Sequence, residues 1–252
     1  MHSLKRSSEH CSSEHGLAEQ SSSEQSSSEQ DSPENPAAEQ IKPNQPHQLK
    51  ATPADETLVY QIENNLYINL TDRCTLACQF CPKHNGSTEV KGYDLALEVR
   101  PPAQQIIDLI GDPSRYDCVV FCGYGEPTLR LKPLLEIAHW IKDNGGKTRL
   151  NTDGLGNLVN KRNILPELSE CIDALSISLN AQNEAVYQRH CQPALKDSYT
   201  AMLEFVALAP EYISDVSASA INGLEGVDIN ACRELAEQRG VKFKQRELDI
   251  VG

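Results

Sequence analysis

From residue 57 onward the chain alternates between two textures. Six short apolar or alternating runs read as strands: LYINL (66–70), CVVFC (118–122), TRLNT (148–152), ALSISL (174–179), VSASAI (216–221) and VKFKQ (241–245). TLVYQIENNLYINL alternates on both sides of Asn64-Asn65, which predicts a hairpin ahead of the first core strand. Between the runs, apolar residues recur at helical spacing. Ala103, Ile106, Ile107 and Ile110 share one helical face, closed by Gly111 and Pro113. Leu131, Leu134, Leu135, Ala138 and Ile141 share another, closed by Gly145-Gly146. SYTAMLEFVALAP and DINACRELAEQRG repeat the logic. Strand and helix in alternation imply right-handed βαβ units around a parallel sheet. A full eight-fold barrel needs about 250 residues; the 198 from Asp55 to Gly252 suit six units, as an open barrel or a doubly wound sheet. In both, chemistry gathers at the carboxyl ends of the strands.

Residues 1–54 lack both periods. Glu9, Glu14, Glu19, Glu24, Glu29, Glu34 and Glu39 recur every five residues among serines and glutamines. That spacing builds no apolar face on a helix or a strand, so ordering the segment has nothing to offset its entropy. The expectation is a disordered low-complexity tail over 1–54 and one folded domain over 55–252. Composition then narrows the class. The formal net charge is −13 over 252 residues, without the basic footprint of a nucleic-acid binder. No apolar run is long enough for a membrane span, and the N-terminus shows no signal-peptide core. Nine cysteines, irregularly spaced, fit a reduced cytoplasmic protein.

Three of those cysteines carry the chemistry. Cys74, Cys78 and Cys81, in TDRCTLACQFCPKH, directly follow the first core strand. Zinc in a structural site takes four ligands, and His84 would complete a Cys₃His set. An iron–sulfur cubane held by three cysteines instead keeps one iron open to a substrate or cofactor. Both readings stand on spacing alone.

Neighbouring residues add a resemblance. Phe80 precedes the last cysteine, and the second core strand ends in Gly123-Tyr124-Gly125-Glu126-Pro127-Thr128. This resembles the radical S-adenosylmethionine (SAM) superfamily, with its C-x₃-C-x-Φ-C loop, Φ being aromatic, and its Gly-Gly-Glu motif. Further stretches, GYDLALE, RLNTDGLGNL and SISLNAQNEAVYQRHCQP, resemble its TatD-associated subfamily over about residues 57–248. The resemblance implies a partial (β/α)₆ TIM-like barrel and a [4Fe–4S] cluster on Cys74, Cys78 and Cys81. It implies that SAM bound to the open iron is cleaved reductively to a 5′-deoxyadenosyl radical, which takes hydrogen from a substrate. It implies SAM contacts from Phe80, Gly123, Gly125, Glu126, Thr152, Ser178, Asn180 and Arg189, and a flavodoxin- or ferredoxin-type reductant. Tyr124 stands where the family has its first glycine, and Asp153 where relatives often have asparagine. Gly223 and Gly226 loosely match a turn near adenine. Within the class, 7-carboxy-7-deazaguanine synthases and glycyl-radical-activating enzymes are alternatives. Outside it stands a zinc-stabilised Cys₃His binding protein. Cys118, Cys122, Cys171, Cys191 and Cys232 are expected to be structural.

Overall fold

The structure is a computed structural model and describes residues 56–248; the low-complexity segment 1–54 lies outside them. Its main sheet has seven strands in the order β1 (Val59–Ile62), β2 (Asn65–Ile68), β5 (Cys118–Phe121), β6 (Thr148–Thr152), β7 (Ala174–Ser178), β8 (Asp215–Asn222) and β9 (Lys242–Glu247). β1 pairs antiparallel with β2, and every later pairing is parallel. All six core strands read from the sequence are present. The hairpin turn falls on Glu63-Asn64, one residue earlier than its asparagine pair suggested, with Glu63 at φ 54°. A separate ribbon, β3 (Glu89–Val90) with β4 (Tyr93–Asp94), sits in the loop after β2.

The crossovers are helical. α1 (Ala103–Ile110) buries the four residues its pattern nominated. α2 (Leu131–Asp143) buries Leu131, Leu134, Ile137, Ala138 and Ile141. Leu135 is only half-buried and Ile137 takes its place, because the buried stripe is centred one position from the expected one. Two short helices, α3 (Gly156–Asn160) and α4 (Leu165–Ser169), link β6 to β7. Two more, α5 (Glu184–Cys191) and α6 (Ser198–Leu208), link β7 to β8, and α7 (Ile229–Glu237) precedes β9. Side chains cap the starts of α5 and α7: Asn183 accepts from the Val186 amide at 3.0 Å, and Asp228 from those of Asn230 and Ala231.

The strands have two unlike faces. Leu66, Ile68, Val119, Phe121, Leu150, Leu175, Ile177, Ala218 and Ala220 join the helices in one hydrophobic core. The opposite face carries Tyr67, Arg149, Asn151, Ser176, Ser178, Ser217, Lys244 and Arg246 by strand alternation. That face is concave. Arg246 on β9 acts electrostatically on Cys122, next to β5, although β5 and β9 are four positions apart in sheet order. A flat sheet would separate them by about 19 Å at ~4.8 Å per strand. Among the described residues β1 and β9 are the edges of the sheet, which is an open, partial barrel. Among the described residues no helix is long and apolar enough to cross a membrane.

Candidate active site

The three-cysteine loop leaves the carboxyl end of β2 and is held from three sides. The first holder is the turn after β5. A side chain on Gly125 would start 2.3 Å from the Arg73 carbonyl oxygen and 2.6 Å from that of Thr71. Only glycine lets these two backbones lie so close, and the Glu126 amide donates to the Arg73 oxygen at 2.7 Å. Gly123 has the same need against Asn69, whose Oδ1 stands 2.5 Å from where its Cβ would be. Asn69 itself is fully buried. Its Oδ1 accepts from the Tyr124 amide at 3.1 Å, and its Nδ2 donates to the carbonyls of Thr57 and Leu95, both at 3.0 Å. Arg130 secures the same strand end, donating to the Leu70 and Pro101 carbonyls at 2.9 and 2.8 Å.

The second holder is the carboxyl end of α5. The last carbonyls of a helix lack intrahelical partners. Here the loop supplies them: the Ala77 amide donates to the Cys191 oxygen and the Gln79 amide to the His190 oxygen, each at 2.9 Å. Cys78 lies beside Cys191, which is buried in the core. The Asn180 Nδ2 donates to the Cys191 sulfur at 3.7 Å.

The third holder is a pair of buried carboxyls. Glu126 Oε1 accepts from the Thr128 amide at 3.0 Å, the Thr128 hydroxyl at 2.7 Å and the Thr152 hydroxyl at 2.8 Å. Its Oε2 accepts from the Asp153 amide at 2.7 Å. Asp153 accepts from the Leu155 amide at 2.9 Å and from the hydroxyl of Thr75, the residue after Cys74. Burial, and then the nearness of Asp153, raise the Glu126 pKa well above the carboxylate range; burial raises that of Asp153. The pair joins the ends of β5 and β6 to the cysteine loop.

Within the loop, Cys78 and Cys81 close a tight turn, the Cys81 amide donating to the Cys78 oxygen at 3.0 Å. A 3₁₀ turn, Pro82–Asn85, follows. Tyr124, in place of the family's glycine, reaches across it: its hydroxyl donates to the Ser87 oxygen at 2.5 Å and its ring lies under Lys83 Nζ. Phe80 packs against the core. His84 is exposed.

Three cysteines in one loop suit a [4Fe–4S] cubane, each sulfur binding a different iron. Among the described residues no three His, Cys, Asp or Glu side chains are gathered as the ligands of one metal ion. Each cysteine would bind as a thiolate, held there by the positive charge of the iron.

The other expected residues divide. Gly123, Gly125, Glu126 and Thr152 belong to the holders just described. Ser178 lies on the concave face, level with Ser219 of β8. Asn180 is buried at φ 60° and accepts from Arg246 Nη2 at 2.9 Å. Arg189 is apart from them, exposed on α5 and paired with Glu225 at 3.5 Å. Gly223 and Gly226 both have positive φ, as a tight turn requires. Of the cysteines expected to be structural, Cys118, Cys171, Cys191 and Cys232 are buried, Cys191 beside Cys78; Cys122 lies beside Arg149 and Asn151 on the concave face. Asn69 and Tyr187 were not singled out in the sequence. A lone polar residue inside the apolar run LYINL was the signal for Asn69; nothing local marks Tyr187, whose buried hydroxyl lies near Cys74 and Cys78 without a hydrogen-bond partner.

An open α/β barrel with a three-cysteine loop at the carboxyl end of its first core strand defines a class, and comparison with known proteins gives the same one. The radical SAM superfamily profile matches residues 68–238. The chain belongs to the radical SAM superfamily, whose enzymes use a [4Fe–4S] cluster and SAM. A search of curated proteins returned no match. Among solved structures, the chain is similar to TYW1 with a bound lysine–pyruvate adduct, at 18% identity and TM-score 0.53, over 73% of this chain and 64% of that one. It is similar to Streptococcus suis SuiB bound to SAM, at 15% identity and TM-score 0.56, over 74% and 41%. It is also similar to anSMEcpe with bound SAM and a peptide, at 16% identity and TM-score 0.51, over 75% and 51%. At these identities the likeness is one of fold. The chain spans between about two fifths and two thirds of the length of these structures.

Proposed function

We propose that this chain is a radical SAM enzyme acting on its substrate at the mouth of the open barrel, and that it stands nearest the TatD-associated subfamily. The observation that carries the reading is the anchoring of the cysteine loop by the turn Gly123–Glu126, by the end of α5 and by Asp153. Cys74, Cys78 and Cys81 would hold the cluster. When bound, cluster and SAM supply a reductive cleavage whose 5′-deoxyadenosyl radical takes hydrogen from the substrate.

The chain's own contribution is placement. Gly125 brings the β5 turn against Thr71 and Arg73, so backbone rather than side chain lines that edge. Glu126 and Thr152 act through their hydrogen bonds to each other and to Asp153, holding the strand ends in register. Phe80 closes the loop over the core and limits water. Ser178 offers a hydroxyl from the end of β7, Asn180 just beyond it links Cys191 to Arg246, and Arg189 offers a cation from α5. The open β9 edge leaves room for a large substrate such as a protein or RNA. A flavodoxin- or ferredoxin-type protein would supply the electron. Eight described cysteines, all unpaired, suit a reducing cytoplasm.

The test is release of 5′-deoxyadenosine from SAM by anaerobically reconstituted protein. We expect dithionite-dependent release that is lost on Cys74→Ala, Cys78→Ala or Cys81→Ala. Release that survives any of these would overturn the assignment of the three ligands.

A further inference from the structure

The end of α5 brings a fourth cysteine to the cysteine loop. The Ala77 amide donates to the Cys191 oxygen and the Gln79 amide to the His190 oxygen, each at 2.9 Å. Cys78 lies between the two donors, so its backbone is clamped against the last residue of α5. Cys78 and Cys191 are neighbours for that reason, and Cys191 is fully buried. Tyr187, one turn earlier on α5, is fully buried too and packs against Tyr199, ring centroids 5.3 Å apart. Water has no access to Cys191.

A second buried residue aims at the same sulfur. Asn180 lies just beyond β7 at φ 60°. Arg246 Nη2 donates to its Oδ1 at 2.9 Å. An arginine has donors only, so it fixes which end of the amide faces it. The amide nitrogen is thereby turned the other way, and it donates to the Cys191 sulfur at 3.7 Å. The part Arg246 plays is this orientation; it has further contacts within the chain. A sulfur that accepts from Asn180 keeps its own S–H to give. Cys171 gives its S–H to the carbonyl of Glu167, four residues back, at 3.8 Å. Among the described residues no carbonyl takes the S–H of Cys191 in that way, and the sulfur beside it is that of Cys78.

We propose that Cys191, oriented by Asn180, donates its S–H to the Cys78 sulfur when that sulfur binds iron, and so raises the reduction potential of the cluster. This rests on the radical SAM reading. A cysteine bound to iron is a thiolate, hence an acceptor. Reduction adds an electron and places more negative charge on the ligand sulfurs. A hydrogen bond to one of them is therefore stronger in the reduced state than in the oxidised, and such bonds are among the levers that set the potential. In dry, low-dielectric surroundings the bond counts for more than in water, and each donor polarises the next. Cys191 and Asn180 are positioning residues in this role, since neither binds iron.

Redox titration of the anaerobically reconstituted full-length chain, followed by electron paramagnetic resonance of the reduced cluster without SAM, tests this. Iron and sulfide are assayed on each sample. Cys191→Ala removes the donor. It should shift the one-electron reduction equilibrium about tenfold toward the oxidised cluster, the scale of one hydrogen bond, which is ~59 mV downward. Cys191→Ser keeps a donor and should restore most of the shift. Asn180→Gly tolerates the same backbone conformation but removes the orienting amide, and should lower the potential by part of that amount. Cys232→Ala, buried on α7, should leave it unchanged. Where Cys191→Ala takes up no cluster, Asn180→Gly decides. Variants with full iron and the wild-type potential overturn this proposal alone. So does Cys191→Ser shifted as far as Cys191→Ala, which would mark a packing role. Loss of the cluster from all three variants, while the wild type holds it, makes Cys191 a structural support and overturns the proposal too. A wild-type protein that takes up no cluster overturns the radical SAM reading and this one with it.

Discussion

Asn69 shows how much of the site depends on one side chain. It satisfies the Tyr124 amide and the carbonyls of Thr57 and Leu95 in a place without water. Asn69→Ala strands those groups at about 1–3 kcal/mol for each that stays unsatisfied, so a loss of about 2–4 kcal/mol in urea denaturation is expected. Gly125→Ala drives a methyl into the Arg73 carbonyl. We expect about 1–3 kcal/mol of destabilisation together with reduced iron uptake on reconstitution, measured as iron per chain. The Glu126–Asp153 pair sets a pH dependence. Both carboxyls keep their protons to higher pH in the folded state than in the unfolded. The folded state therefore binds more protons in that window, and stability falls as pH rises from the ordinary carboxylate range toward neutrality. Denaturation of the metal-free protein across that range should show the fall, and Glu126→Gln should flatten it. The sequence marked Gly125 and Glu126 by motif but not their use. The glycine accommodates the chain's own backbone, and the carboxylate is consumed by internal hydrogen bonds. The glycine's partners, Thr71 and Arg73, are distant in sequence, and Thr152 and Asp153 lie 26 and 27 residues from Glu126, which no local pattern reveals.

Among the elements, the strands were the most legible and α5 the least. Six core strands announced themselves as short apolar or alternating runs. α5 has only a weak apolar face, burying Tyr187, His190 and Cys191 near its end. Its importance lies in its last carbonyls, which receive the Ala77 and Gln79 amides. Hydrogen exchange should find those two amides protected, more so than the exposed segment around Asn85 and Gly86. Exchange as fast as in that segment would show that the loop is not docked on the helix. The serines of β7 gave a correct signal of another kind: Ser176 and Ser178 alternate in an otherwise apolar strand and do face the concave side.

At the scale of the whole molecule, Glu126 and Asp153 join the ends of β5 and β6 to the cysteine loop. This pairing was invisible in a net charge of −13, because the two carboxyls meet only when the strands pair. The three cysteines, by contrast, were legible at once, since their spacing and their place after a strand are local properties. What they bind is the central claim, and metal content tests it most directly. Anaerobically reconstituted protein should contain about four irons and four sulfides per chain, with a brown colour bleached by dithionite, and His84→Ala should retain them. A colourless protein holding one zinc that is lost on His84→Ala would contradict the account.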